Sequence, residues 1–220
     1  MSRTPRVIVT RHLPEAVEAE LSERFEAVLN PEDRRMDAPA LARAFAEADA
    51  VLCTVGDRID AAAIGTAPRA KMVATFSVGT NHIDLDAARA AGLRVSSTPG
   101  VLTDATADIA MSLILMAMRR CGEGERMVRA GEWHGWTPTQ LLGRDPTGAT
   151  LGIVGMGRIG RATAARAHHG FGMKILYTNR SAVDPGLPAE RRELHELMAE
   201  ADVISVHAPA SPENRNLISA

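Results

Sequence analysis

The chain has 220 residues, enough for one large domain or two modest ones, and its 45% hydrophobic and 24% charged residues are an ordinary globular mixture. A net charge of -2 and only 3% aromatic residues supply neither the basic field nor the stacking rings of a nucleic-acid-binding surface, so nucleic acid is not an expected partner. The two cysteines, Cys53 and Cys121, lie far apart without metal-ligand spacing, which predicts reduced structural thiols and no metal site.

Residues 1–100 alternate between short apolar runs and Ala/Glu/Arg-rich stretches of helical period. The runs predict strands at residues 6–10, 25–29, 50–54, 71–77 and 93–97. Strands that alternate with helices pair in parallel, because each connection crosses a face of the sheet. We therefore expect a complete, flavodoxin-like α/β domain over residues 1–100.

Neither secretion nor membrane insertion is predicted by any apolar segment. The first apolar run ends within a few residues at Arg11, which is too short for a signal peptide. The most apolar run, ATADIAMSLILMAMRR, is interrupted by Asp108 and has about half of the ~20 residues that cross a bilayer. These features predict a cytoplasmic protein without membrane contact.

Residues 103–120 predict a helix that connects two domains. Thr103 and Asp104 suit its N-terminus, and Gly122 is expected to stop it. Apolar residues on every face of its middle predict burial on all sides.

Residues 101–220 form a second predicted domain, which contains the glycine-rich segment GMGRIG. Gly155, Gly157 and Gly160 have the G-x-G-x-x-G spacing, and a strand precedes them while a helix and a second strand follow. In such a turn the first glycine permits the bend, the second lets a pyrophosphate approach the backbone, and the third lets helix and strand pack closely. The helix N-terminus then faces the phosphates. This arrangement favours a dinucleotide site over the alternative, a tight turn that binds nothing.

The end of the second strand, Asn179-Arg180-Ser181, indicates which dinucleotide is preferred. NAD-binding folds place a carboxylate there for the ribose 2'-hydroxyl, whereas Arg180 offers a planar donor fork to a 2'-phosphate. The hypothesis is NADP(H) in preference to NAD(H). A solvated surface arginine is the alternative.

Five stretches together resemble the D-isomer-specific 2-hydroxyacid dehydrogenases and, within them, the glyoxylate and hydroxypyruvate reductases. They are FSVGTNHIDLDAARAAGLRVSSTPGVLTDATADIA, VRAGEWHGW, LLGRDPTGATLGIVGMGRIG, GFGMKILYTNRS and ADVISVHAPASPENRNLI. The resemblance covers essentially all 220 residues. It implies a substrate domain over residues 1–100 and an NAD(P)-binding Rossmann domain over 101–220, with the second parallel-sheet domain incomplete.

The resemblance also implies binding residues. Ser77, Val78 and Gly79 would hold the substrate carboxylate, since consecutive N–H groups form an anion nest; an ordinary turn is the alternative. The residues implied at the cofactor are Thr106, Gly155, Met156, Gly157, Arg158, Ile159, Gly160, Asn179, Arg180, Ser181, His207, Ala208 and Pro209. Trp133 and Trp136 match a segment that in relatives packs against a partner subunit, which implies a homodimer at full length. An ordinary core or surface role for the two tryptophans is the alternative.

The family's catalytic arginine, glutamate and histidine have no counterpart before Ala220. The chain is therefore expected to be truncated at its C-terminus and to lack catalytic residues. Without the second half of the sheet, the strand at 150–154 is expected to lose a neighbour and the helix at 103–119 part of its cover. The implied activity of the parent is reduction of a small 2-keto acid, of glyoxylate or hydroxypyruvate type, to the D-2-hydroxy acid. A catalytically silent, corepressor-like NADP(H)-binding module is the main alternative, and a non-redox sugar-nucleotide-binding protein is a weaker one.

Overall fold

The computed structural model describes residues 3–218. The chain divides into two compact units, with the division between Val101 and Leu102. Each unit is built on one parallel β-sheet, and helices connect most of its consecutive strands. The predicted α/β class with two parallel sheets is confirmed. Within residues 3–218, no helix combines the length and apolar character needed to cross a membrane.

The first unit contains five strands in the spatial order β2-β1-β3-β4-β5. The strands are β1 (Arg6–Val9), β2 (Glu26–Val28), β3 (Ala50–Cys53), β4 (Met72–Thr75) and β5 (Arg94–Ser96). The helices are α1 (Glu15–Arg24), α2 (Ala38–Glu47), α3 (Ala61–Ile64) and α4 (Leu85–Ala90). Each strand lies within one of the five predicted apolar runs.

Aspartates begin three of these helices. Asp37, Asp60 and Asp84 each accept a hydrogen bond of 2.8–3.0 Å from a backbone N–H in the first turn of α2, α3 and α4. One face of the central strands β3 and β4 is buried in the core, where Val51 and Val73, which are paired in register, have no exposed surface. The carboxyl end of β4 is thereby fixed on a rigid sheet.

The second unit begins with two helices, α5 (Thr103–Met118) and α6 (Cys121–Arg129). Its sheet has the order β8-β7-β6-β9, all parallel. The remaining elements are β6 (Thr150–Val154), α7 (Arg158–Phe171), β7 (Lys174–Thr178), β8 (Glu190–Arg191), α8 (Leu194–Glu200) and β9 (Val203–Val206). The expectation that the strand at 150–154 loses a neighbour is wrong, because β6 pairs with both β7 and β9; β8 and β9 are the edge strands of the described sheet.

Helix α5 buries one face only. Ala107, Met111, Ile114 and Met118 are buried at helical spacing, and α5 packs against α7. On another face the exposed fractions are 62% for Ile109 and 59% for Leu113. The prediction of burial on all sides is wrong for this chain, whereas the expected loss of part of the helix's cover agrees with the structure: within the described residues, packed neighbours cover one face and the other apolar face lies open.

Helix α5 begins at the predicted residue, but its C-terminal end differs from the sequence prediction. Leu102 is the N-cap and makes no side-chain cap bond, so Thr103 is the first helical residue. At the other end Arg120 adopts a left-handed conformation with φ of 55°, and α6 starts at the next residue. Gly122 therefore lies inside α6 and does not stop α5. The chain changes direction two residues earlier, at Arg120, and an arginine gives no sequence signal for such a turn.

Candidate functional site

The glycine-rich turn joins β6 to α7 and lies against the end of β9. Gly155 has φ of 98°, and a Cβ on it would lie 2.8 Å from the carbonyl carbon of His207. Backbone hydrogen bonds hold this contact: His207 N–H donates to the Val154 carbonyl at 2.7 Å, and Gly155 N–H donates to the Thr178 carbonyl at 2.9 Å. Only glycine meets both the positive φ and the close approach.

The other two glycines differ in their surroundings. A Cβ on Gly160 would lie 2.2 Å from the Gly155 carbonyl oxygen, so this position packs helix against turn. A Cβ on Gly157 would meet nothing within 4 Å. Gly157 is also the N-cap of α7, where no side chain caps the helix. The first-turn N–H groups and the positive end of the helix dipole therefore face open space, which suits an anion.

Asn179 ties the turn to the end of β7. Its Oδ1 accepts a hydrogen bond of 3.2 Å from Met156 N–H, and its Nδ2 donates to the Ser181 carbonyl at 3.0 Å. The Arg191 guanidinium donates to the Asn179 carbonyl at 2.9 Å. The Met156 side chain points into the core and is 1% exposed, so this residue offers only backbone to the site.

A cavity of about 210 Å³ lies beside the turn. Among the residues expected at the cofactor, those that line it are Gly155, Asn179, Arg180, Ser181, Ala208 and Pro209. Sequence reasoning missed Val154, Thr178, Leu194, Asn214 and Leu217. The apolar residues among these could not be found from the sequence, because the sequence pattern of an apolar residue near a strand is the same whether it fills a core or lines a cavity. Asn214 Nδ2 donates to the Pro209 carbonyl at 2.8 Å and so shapes the cavity wall.

Thr106 and His207 line a different groove, between α5 and β9. The His207 ring lies with Nε2 3.0 Å from Ser205 Oγ, and burial lowers the pKa of this imidazole. Arg158 and Gly157 are exposed at the mouth of the turn, whereas Ile159 is half-buried. The structure thus gathers six of the thirteen expected cofactor residues around one cavity and keeps the turn residues next to it.

The cavity carries positive charge at the end of β7. Arg180 is exposed, and no aspartate or glutamate belongs to the described lining of the cavity. The pKa of the Glu213 carboxyl is lowered, mainly by the influence of the neighbouring Ser211 and to a smaller degree by the Arg180 charge. The site therefore offers a cation where a carboxylate would select a free ribose hydroxyl.

In the first unit, Ser77, Val78 and Gly79 follow the end of β4 and form a loop. Phe76 N–H donates to the Cys53 carbonyl and Thr98 N–H donates to the Ser77 carbonyl, both at 2.8 Å. Within residues 3–218 we find no acceptor for the N–H groups of Val78 and Gly79. Two neighbouring backbone donors at the carboxyl end of a parallel strand suit a carboxylate. No group of His, Cys, Asp and Glu in the described part of the chain is arranged to hold a metal ion.

A parallel sheet with this turn between β6 and α7 defines the class of dinucleotide-binding α/β proteins. Comparison with known proteins narrows the class. Residues 111–220 match the model of the "D-isomer specific 2-hydroxyacid dehydrogenase, NAD binding domain". The chain belongs to the D-isomer specific 2-hydroxyacid dehydrogenase family.

Individual relatives agree with this assignment. The chain is 40% identical to glyoxylate reductase of Thermococcus kodakarensis, over 98% of this chain and 66% of the relative. It is 41% identical to glyoxylate reductase of Korarchaeum cryptofilum, over 97% of this chain and 65% of the relative. The solved structure of the TT0316 protein of Thermus thermophilus superposes with a TM-score of 0.88 at 44% identity, over 97% of this chain and 68% of that one. The chain thus spans just under two thirds of the length of the two curated relatives.

Proposed function

We propose that the protein binds NADP(H) and takes part in the reduction of a small 2-keto acid, of glyoxylate or hydroxypyruvate type, to the D-2-hydroxy acid. The observation that carries the proposal is the uncapped N-terminus of α7 at Gly157, which opens beside a cavity lined by Arg180. The similarity to glyoxylate reductases supports the substrate class.

In this proposal the second unit holds the cofactor. Backbone N–H groups at Gly157 to Gly160 bind the pyrophosphate, and Asn179, Arg180 and Ser181 surround the 2'-phosphate. Ala208 and Pro209 pack beside the adenine. The bound cofactor supplies the hydride, and the chain's own residues bind and orient it. Thr106 and His207 stay predictions from the resemblance, since they lie on the neighbouring groove.

The first unit holds the substrate in this proposal. The N–H groups of Val78 and Gly79 bind the carboxylate of the keto acid, and Ser77 shapes the loop. We also propose a cytoplasmic homodimer. The exposed fractions of 53% for Trp133 and 81% for Trp136 leave two large rings available to a partner subunit. Light scattering, which measures the molar mass in solution, would detect the dimer.

The preference for NADP(H) is tested by replacing the guanidinium. A charge-assisted hydrogen bond contributes roughly 1.5 to 3 kcal/mol, so Arg180→Ala should weaken NADPH binding about ten- to a hundredfold. NADH affinity should change by less than about twofold, because NADH has no 2'-phosphate. Both affinities are measured by fluorescence titration at fixed ionic strength, since salt screens exposed charges.

Lys174→Ala is the matched control for Arg180→Ala. It removes one exposed positive charge at the opposite end of the same strand, β7, and should leave both affinities unchanged. Equal losses for NADPH and NADH in Arg180→Ala, or no loss for either, would overturn the preference for NADP(H).

The reaction itself is tested with protein expressed from the complete reading frame. Oxidation of NADPH upon addition of glyoxylate or hydroxypyruvate, followed by the absorbance of the reduced nicotinamide, would support the reductase. Tight NADPH binding without turnover on any small 2-keto acid would favour the catalytically silent binding module.

A further inference from the structure

Beneath the substrate loop of the first unit, three polar side chains and one carbonyl lie in a row. His82 Nε2 is 2.9 Å from Thr75 Oγ1, and Thr75 Oγ1 is 2.8 Å from Ser77 Oγ. Ser77 Oγ lies 2.6 Å from the carbonyl oxygen of Gly79. Thr75 is 2% exposed and Ser77 is 7% exposed, so water does not compete for these hydroxyls.

The number of available protons determines which group donates in each hydrogen bond of this row. A carbonyl oxygen only accepts, so the Ser77 hydroxyl donates to Gly79, and its oxygen must accept from Thr75. The single Thr75 proton is then used, and its oxygen must accept from His82. His82 therefore carries its proton on Nε2. This order alone satisfies every contact in the row.

The surroundings of His82 agree with this assignment. Burial lowers the pKa of the imidazole, and the Asp57 carboxylate opposes this effect to a lesser degree. Cys53 Sγ lies 3.9 Å from Nε2, and burial raises the pKa of this thiol to about 11, so it stays uncharged. Since Nε2 keeps its proton in both the neutral and the protonated imidazole, the row survives a change in the charge of the ring.

We propose that His82 and Thr75 are positioning residues for the keto-acid carboxylate. The row from Nε2 to the Gly79 carbonyl ties the Ser77 side chain and the peptide after Gly79 to the core, on either side of the Val78 and Gly79 N–H groups, and so limits the orientations in which the loop presents them. Neither residue touches the substrate; both act through Ser77. The inference rests on the proposed function, because it takes residues 77–79 as the carboxylate loop.

The test is a titration of the isotope-labelled chain with glyoxylate, followed by the backbone amide signals of Val78 and Gly79 in NMR spectra. Thr75→Val keeps the shape of the side chain and removes the hydroxyl, and His82→Leu removes the ring donor. Each should weaken glyoxylate binding about tenfold, the effect of one buried hydrogen bond. Thr75→Ser and His82→Gln keep a donor at the same place and should stay within about twofold of the wild type.

The outcomes separate the two proposals. If folded Thr75→Val binds glyoxylate as tightly as the wild type, the positioning role is wrong and the carboxylate loop stands. If the wild type shows no saturable shift at either amide, the carboxylate loop is wrong, and the positioning role with it. Should a variant fail to fold, the ring nitrogen signals of His82 in the wild type still decide the row: a proton on Nδ1 alone would overturn it.

Discussion

Gly157 and Gly160 share a motif, yet replacing each with alanine should damage different properties. At Gly160 the new methyl would lie 2.2 Å from the Gly155 carbonyl oxygen, whereas at Gly157 it would meet nothing within 4 Å. Gly160→Ala should therefore destabilise the second unit. Gly157→Ala should keep the fold and lose the cofactor.

The magnitude for Gly160→Ala is a balance of two opposing effects. Alanine is the better helix former by about 1 kcal/mol, which favours the variant inside α7. Relieving the methyl clash requires backbone to move by roughly 1 Å, and such overpacking costs about 3 kcal/mol. The net loss of about 2 kcal/mol should lower the Tm of the unit by roughly 8 °C.

For Gly157→Ala the backbone has φ of -78°, which alanine adopts freely. Loss of the preferred N-cap residue costs only ~0.5 kcal/mol. The methyl instead fills space through which a pyrophosphate would approach the α7 N–H groups, so NADPH and NADH should both bind at least about tenfold more weakly, a change of ~1.4 kcal/mol.

Thermal unfolding and cofactor titration of the two variants form the assay. Gly172→Ala is a useful reference for the melts, since it changes a glycine at the other end of α7. A Cβ there would meet no atom within 4 Å, although the φ of 60° is one that alanine rarely adopts. Wild-type cofactor affinity in Gly157→Ala would refute the approach of a pyrophosphate at this glycine. Wild-type stability in Gly160→Ala would refute the packing argument.

Two further predictions concern titratable groups. At about pH 8 a thiol reagent should modify Cys121, which is exposed, and spare Cys53, which is fully buried with a pKa of about 11; fast reaction of both thiols in the native state would contradict this. Burial lowers the folded-state pKa of both His82 and His207, so the unfolded chain binds more protons once the pH falls below about 6.5, and the free energy of unfolding should decline from there. Denaturant titrations across this range should show a shallower decline in His82→Gln.

The alternation of apolar runs with helical stretches predicted the two sheets well, because parallel strands that are buried in a sheet appear in the sequence as continuous apolar segments. The runs near Val51 and Ile153 are examples: both side chains have no exposed surface and lie on interior strands. The two-residue strand Glu190–Arg191 could not be predicted, since it is polar and too short to show a period.

Helix α5 shows why apolar content alone misleads. Its residues are apolar all round, and this pattern predicts burial on all sides. A sequence states which side chains would gain from burial, but the packing partner decides which ones are buried. Met111 has α7 and β6 as neighbours in the core cluster, whereas Ile109, two positions earlier, faces away.

The candidate site was predictable where backbone geometry restricts the residue type, and not where side chains hold the backbone from behind. Gly155 is readable because a φ of 98° excludes other residues. Asn179 and Thr75 each hold a loop through hydrogen bonds from beneath, and an asparagine or threonine at the end of a strand has many ordinary roles. Both proposed anion sites lie at the carboxyl ends of parallel strands, where backbone N–H groups leave the sheet ladder and need another partner. Deleting the Thr75 hydroxyl should therefore change ligand affinity without removing any ligand contact.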